Sequence, residues 1–75
     1  MKTVTQLELK LIVDTGAITG ATVAKSDGKY HIFVETKTGQ FKLGTQRNAD
    51  RLFSKIEPAK NVLNEVGVKS FSVVG

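Results

Sequence analysis

The sequence predicts an α+β fold in which an antiparallel sheet of three to five strands carries two helices on one face. Two observations favour this fold. A central run of alternating apolar and polar residues is interrupted by glycine-supported turns, as in a hairpin meander. The segments on either side of it have helical spacing and helix caps. The expected order is α-β-β-β-(β)-α-β in a single domain over residues 1–75, since a chain of this length holds one hydrophobic core.

The first element has two interpretations. Thr3 and Gln6 match a capping box, and Gly16 is a typical residue beyond the end of a helix. Helical spacing places three apolar residues on one stripe: Val4, Leu7 and Leu11. The same residues also belong to an alternating pattern that is typical of a half-buried strand. The caps and the many helix-forming residues favour a helix over residues 4–15, and a strand stays open as the alternative.

The middle of the chain predicts three strands. Residues 18–25 and 29–37 flank Asp27-Gly28, a dipeptide typical of tight hairpin turns. A second glycine-supported turn leads into residues 40–45. The strand faces that we expect to meet the helices carry Tyr30, Ile32, Val34, Phe41 and Leu43.

The last third of the chain predicts a helix and a strand. Residues 51–56 fit either a short strand or the first turns of a helix. Pro58 is expected to open the second helix, because proline suits a first helical turn and disfavours helix before it. The apolar residues of this helix have the spacing i, i+3, i+4, i+7, and a helix-ending glycine follows them: Ala59, Val62, Leu63 and Val66. Residues 68–74 predict a final strand with Phe71 and Val73 facing inward.

The composition argues against several classes of function. The chain has no cysteine, so it forms neither a disulfide framework nor a thiolate zinc site. His31 has no carboxylates at ligand spacing and no partner for acid–base or nucleophilic catalysis. No apolar run approaches the roughly 20 residues needed to cross a bilayer. We therefore expect a non-enzymatic, cytoplasmic protein with no cofactor, metal, membrane partner or small-molecule substrate.

The distribution of charge indicates a possible partner. The net charge of +4 arises in the middle of the chain, where basic residues outnumber acidic ones. Basic residues interleaved with exposed aromatic residues suit a sheet face that neutralises phosphates and stacks on bases. The candidate DNA-contacting residues are Lys29, Lys37, Lys42, Arg47, Arg51 and Lys55, with Phe33 or Tyr30 as the stacking groups. The alternative interpretation is an ordinary solvated face, which also carries lysine and glutamate.

A second hypothesis is a homodimerising or adaptor module. The predicted strand over residues 70–74 is largely apolar, and only Lys69 precedes it as a charged residue. At the edge of a sheet such a strand offers unpaired backbone groups to a second copy or to a partner strand. This hypothesis predicts self-association through the C-terminal strand.

Three stretches of the chain carry a resemblance to a known group of proteins. These are residues 5–17, the basic-aromatic step Arg51-Leu52-Phe53 with Ile56-Glu57, and residues 63–73. They resemble small replication- or partition-associated proteins of plasmids and integrative conjugative elements. A second similarity is to the arm-type DNA-binding domains of tyrosine integrases, although the chain lacks their clustered basic and aromatic strand signature. Both resemblances imply DNA in a mobile-element setting, and neither assigns roles to residues.

Overall fold

The computed structural model describes residues 2–46 and 49–74. In these ranges the elements are β1 (Lys2–Val4), α1 (Gln6–Asp14), β2 (Ile18–Ser26), β3 (Lys29–Thr36), β4 (Gly39–Leu43), α2 (Ile56–Val66) and β5 (Ser72–Val74). The α+β class and the two helices are confirmed, and the order gains a strand before the first helix. Neither of these helices is long and apolar enough to cross a bilayer.

The strands form one mixed sheet in the order β1-β4-β3-β2-β5. β3 pairs antiparallel with β2 and with β4, which confirms the central meander. β1 pairs in parallel with β4, and β5 pairs in parallel with β2, so the prediction of an antiparallel sheet is wrong at both edges. The reason is that each helix is a crossover: α1 links β1 to β2 and α2 links β4 to β5, so the strands before and after each helix share one direction.

The core lies between one face of the sheet and the two helices. Ile32 and Val34 of β3 are almost fully buried, as predicted, and Phe41 packs against the same cluster. The helices contribute Leu9 and Leu63, which are both fully buried. Because the buried strand residues alternate with more exposed ones, the opposite face of the sheet is left to solvent.

The prediction of a helix over residues 4–15 is confirmed for α1, but its start is two residues later than expected. β1 takes up the preceding residues, so the N-cap is Thr5 rather than Thr3. The Thr5 hydroxyl accepts a hydrogen bond from the Glu8 amide at 3.2 Å, and the Glu8 carboxylate accepts one from the Thr5 amide at 2.9 Å. The helix ends before Gly16, whose φ of 75° lies in the left-handed region.

The predicted apolar stripe of α1 is wrong. Leu9 is fully buried, whereas Leu7 and Leu11 are 70% and 59% exposed. Helical spacing identifies a stripe but not which neighbour it meets, and α1 turns its Leu9 side toward α2 and the sheet.

The second half of the chain differs from prediction at element boundaries. Residues 51–55 form no continuous strand, since Phe53 makes only an isolated bridge to Tyr30. α2 begins at Ile56, and Pro58 fits inside its first turn because the amide that proline lacks has no intrahelical acceptor there. All four predicted core residues of α2 are buried. The last strand is limited to Ser72–Val74.

The inward facing that we predicted for Phe71 and Val73 holds, since Val73 pairs with the buried Val23 on the helix side of the sheet. Phe71 packs against the core, whereas Val73 is 52% exposed. β5 lies at the edge of the sheet, where β2 covers only one of its sides.

Candidate functional site

The face of the sheet that points away from the helices is the candidate site, and we call it the open face. On β3 it carries Lys29, His31, Phe33 and Glu35, which alternate with the core residues of that strand. The register places Phe33 between Thr22 of β2 and Lys42 of β4. Because β3 is the middle strand, His31 and Phe33 lie at the centre of the open face.

Two aromatic rings lie side by side on the open face. The ring centroids of His31 and Phe33 are 6.1 Å apart, and the ring planes differ by 22°, which is an offset-stacked geometry. The β2 residues paired with them, Ala24 and Thr22, are small. Both rings are half-buried, so part of each ring is open to solvent at the centre of this face.

A cation lies over one of these rings. Lys42 Nζ is 5.5 Å from the centroid of the Phe33 ring and 2.7 Å from a carboxylate oxygen of Asp50. Asp50 thus holds the ammonium group above the ring. A cation beside an aromatic surface is the combination that a phosphate and its attached base require.

His31 is the residue of this site to which sequence reasoning assigned no role. Alternation along β3 places it on the same face as Phe33, but only the structure shows the stacked pair. Its Nδ1 atom is buried and has no hydrogen-bond partner among the residues that the structure describes. The imidazole therefore contributes an aromatic surface rather than a hydrogen bond through that nitrogen.

A second group of cations surrounds the turn between β2 and β3. Asp27 and Gly28 both have positive φ, at 54° and 75°, as a two-residue type I′ turn requires. Lys29 follows this turn, and Lys25 Nζ lies 5.5 Å from the Tyr30 ring centroid. We call this end of the sheet the hairpin tip.

The segment before α2 adds one more lysine to the hairpin tip. Tyr30 and Phe53 exchange two backbone hydrogen bonds, of 2.7 and 3.0 Å. This antiparallel pairing brings Lys55, two residues further along, to the end of the sheet where the turn lies. Lys55 thus lies toward this end of the sheet. Lys25 is on the helix side with Tyr30, whereas Lys29 points to the open face.

The structure separates the predicted DNA-contacting residues. Lys29, Phe33 and Lys42 lie together on the open face, and Lys55 lies near the hairpin tip. Tyr30 is on the opposite face from Phe33, as the alternation of β3 requires, so the two rings cannot bind one ligand side by side. Arg47 lies outside the described residues.

Arg51 takes part in a contact between the helices rather than in the open face. Its Nη1 donates to Gln6 Oε1 at 2.8 Å, and Gln6 Nε2 donates to Glu65 at 2.9 Å. The guanidinium group also lies 5.2 Å from the ring centroid of Phe53, which is itself buried. Because this segment bridges β3 at one position only, Arg51 lies in a loop beside α1 and not on a strand of the open face.

Lys37 borders a groove on the helix side of the molecule. The groove has a volume of about 350 Å³ and lies between α1 and the β3–β4 turn, where Leu11, Phe41 and Lys37 line it. Lys37 is thus directed away from the centre of the open face. Among the described residues, no group of histidine and carboxylate side chains could hold a metal ion.

Comparisons of the chain with protein-family models, with curated proteins and with solved structures give no match. The function proposed below therefore depends on the geometry of the open face and on the sequence.

Proposed function

We propose that this chain is a non-catalytic accessory protein of a plasmid or other mobile element, and that it binds DNA in the cytoplasm through the open face. The observation that carries the proposal is the stacked pair of His31 and Phe33 at the centre of that face, with the Lys42 ammonium over one ring. Aromatic rings beside cations on a sheet are a recurrent way of holding nucleic acid.

The charges around the two rings change along β3, from basic residues at the hairpin tip to an acidic residue at the other end. The hairpin tip has three lysines, Lys25, Lys29 and Lys55, against one acid, Asp27. At the other end of β3, Glu35 accepts a hydrogen bond from Gln40 at 3.1 Å. A polyanion is thus attracted to the tip and to Lys42, and its bases reach the rings between them.

An NMR titration of the isotope-labelled protein with DNA at low salt tests this proposal. We expect the amide signals of residues 29–33 and of Lys42 to shift, and those of α2 to stay in place. The proposal fails if no amide between residues 25 and 55 shifts, or if the shifts are confined to the helices.

A matched pair of lysine variants tests the role of charge. Lys42→Gln removes a cation of the open face, and Lys60→Gln removes one from α2, where Lys60 lies 3.9 Å from Glu57. Both lysines have an acid within 4 Å, Lys42 at 2.7 Å and Lys60 at 3.9 Å, and Lys60 lies outside the open face. We expect only Lys42→Gln to weaken DNA binding and to lower the slope of log affinity against log salt by about one.

Self-association through β5 is the second candidate function. Val73 and Val74 are 52% and 56% exposed on an edge strand, and a second copy could continue the sheet there. Sedimentation at increasing concentration would then show a dimer that Val74→Lys abolishes. Leu7→Lys, at a leucine of α1 that is also exposed, is the control and should leave the dimer intact. A monomer at all concentrations excludes this function.

A further inference from the structure

We infer that the open face takes single-stranded nucleic acid, with an unpaired base lying on Phe33. This inference rests on the proposed function and names the form of the ligand. It depends on where Phe33 lies in the sheet and on what surrounds its ring.

The width of the sheet keeps Phe33 from the base edges of a duplex. Neighbouring strands are about 4.8 Å apart, so the four gaps from β1 to β5 span about 19 Å. The major groove of B-form DNA is about 12 Å wide and admits a helix or a two-stranded ribbon. Phe33 is on the middle strand, with two strands on each side. An undistorted duplex can therefore lay its backbone on this face but cannot bring its base edges to the central ring.

An unpaired base has no such restriction. Thr22 and Lys42 are the partners of Phe33 on the adjacent strands. Of these two neighbours, only Lys42 has a side chain long enough to reach over the ring. The Lys42 ammonium lies over the ring and is held by one acid, Asp50. A phosphate of the incoming strand can replace that carboxylate as the partner of Lys42, which frees the ring face for a base. His31 extends the aromatic surface toward Lys29 and the hairpin tip.

The path of the strand follows from this arrangement. A phosphate near Lys42 and another near Lys29 lie at the two ends of the aromatic pair along β3. The bases between those phosphates then face His31 and Phe33. Stacking of this kind does not depend on base identity, because every base presents a flat π-surface.

Fluorescence anisotropy with labelled oligonucleotides of about 12 nucleotides tests the inference. The probes are oligothymidylate, a mixed-sequence DNA strand, the same strand as a duplex, and the matching RNA strand. We expect the single strands to bind more tightly than the duplex. Phe33→Leu should weaken single-strand binding by about 5- to 100-fold, because it removes one stacked base. Phe33→Tyr keeps a ring and should retain the affinity.

Phe41→Leu is the matched control, since it makes the same change on the helix side of β4 and should leave binding unchanged. The amide spectrum of each variant reports whether the fold is intact. If Phe33→Leu does not fold, the comparison of single strand with duplex on the wild type still tests the inference.

The possible outcomes separate the two proposals. Equal or tighter binding of the duplex, with no effect of Phe33→Leu, overturns the single-strand inference and leaves the proposed DNA binding in place. Tighter binding of the RNA strand, with loss on Phe33→Leu, supports the inference and overturns DNA as the partner. Absence of binding to every probe at low salt overturns both.

Discussion

Gly44, directly after β4, occupies a position where a methyl group has no room. A Cβ atom there would overlap the Thr3 side chain and would stand 2.7 Å from the carbonyl oxygen of Ala49. Since that oxygen belongs to the backbone, the turn that follows β4 must shift to relieve the contact. We expect Gly44→Ala to lower the free energy of unfolding by about 1–3 kcal/mol, as in other overpacked interiors.

Urea denaturation of Gly44→Ala and Gly20→Ala measures this effect. The nearest atom to a Cβ on Gly20 is Glu35 Oε2 at 3.8 Å, so Gly20→Ala should change stability by less than about 0.5 kcal/mol. Equal unfolding midpoints for the two variants would contradict the steric explanation.

At the scale of single residues, strand alternation predicted correctly which face a side chain is on, but the sequence did not predict contacts between distant residues. It placed Phe33 and Lys29 on one face of β3 and Ile32 on the other, and the structure agrees. It could not show that Arg51 reaches Gln6, since that contact joins residues 45 positions apart through the packing of a loop on α1. The exposure of Leu7 could not be predicted either, because it depends on how α1 is rotated about its axis against α2.

The N-terminus of α1 gives a prediction about pH at the scale of one element. The hydrogen bond from the Thr5 backbone amide, together with that to the Thr5 side chain, holds the pKa of the Glu8 carboxyl below its ordinary value of 4.5. A lowered pKa in the folded state means that the unfolded chain binds the proton more readily. The stabilisation is therefore complete above about pH 4.5 and is lost as the pH falls through the folded pKa.

Urea denaturation of the wild type and Glu8→Gln at about pH 7 and about pH 3 checks this sign. The wild type should be the more stable at the higher pH, and the difference should shrink at the lower one. In a Thr5→Ala background the same comparison should show a somewhat smaller pH dependence, because the hydrogen bond with the Thr5 side chain is removed while the one from the Thr5 backbone amide remains. A difference that grows on acidification would be the opposite of this expectation.

Local signals predicted the elements well where turn chemistry or caps fix them. The β2–β3 turn has the geometry that Asp27-Gly28 demands, and α2 buries each residue that its spacing indicated. β1 was not predicted, because three residues give too short a pattern and its stability comes from pairing with β4. The N-cap is Thr5 rather than the predicted Thr3 for the same reason. Residues that the local pattern assigned to the helix pair with β4 as part of β1.

Considered as a whole, the molecule repeats one construction twice. β1-α1-β2 and β4-α2-β5 each carry the chain across the same face of the sheet by three strand positions. This explains why both helices share one side and why the opposite side, with His31 and Phe33, is left without a layer. The sequence predicted that one-sided arrangement, but the strand with which each edge strand pairs depends on how far each crossover reaches, and residue patterns do not encode that distance.

The parallel pairing of β5 with β2 has a consequence for biosynthesis. While the polypeptide leaves the ribosome, the meander of β2, β3 and β4 can assemble as soon as its own residues have emerged. The edge of β2 that pairs with β5 then stays unpaired until residues 72–74 have been synthesised. Throughout that interval its free amides and carbonyls can recruit a strand from another nascent chain, so a stop codon placed before residue 72 would make this exposure permanent and favour aggregation.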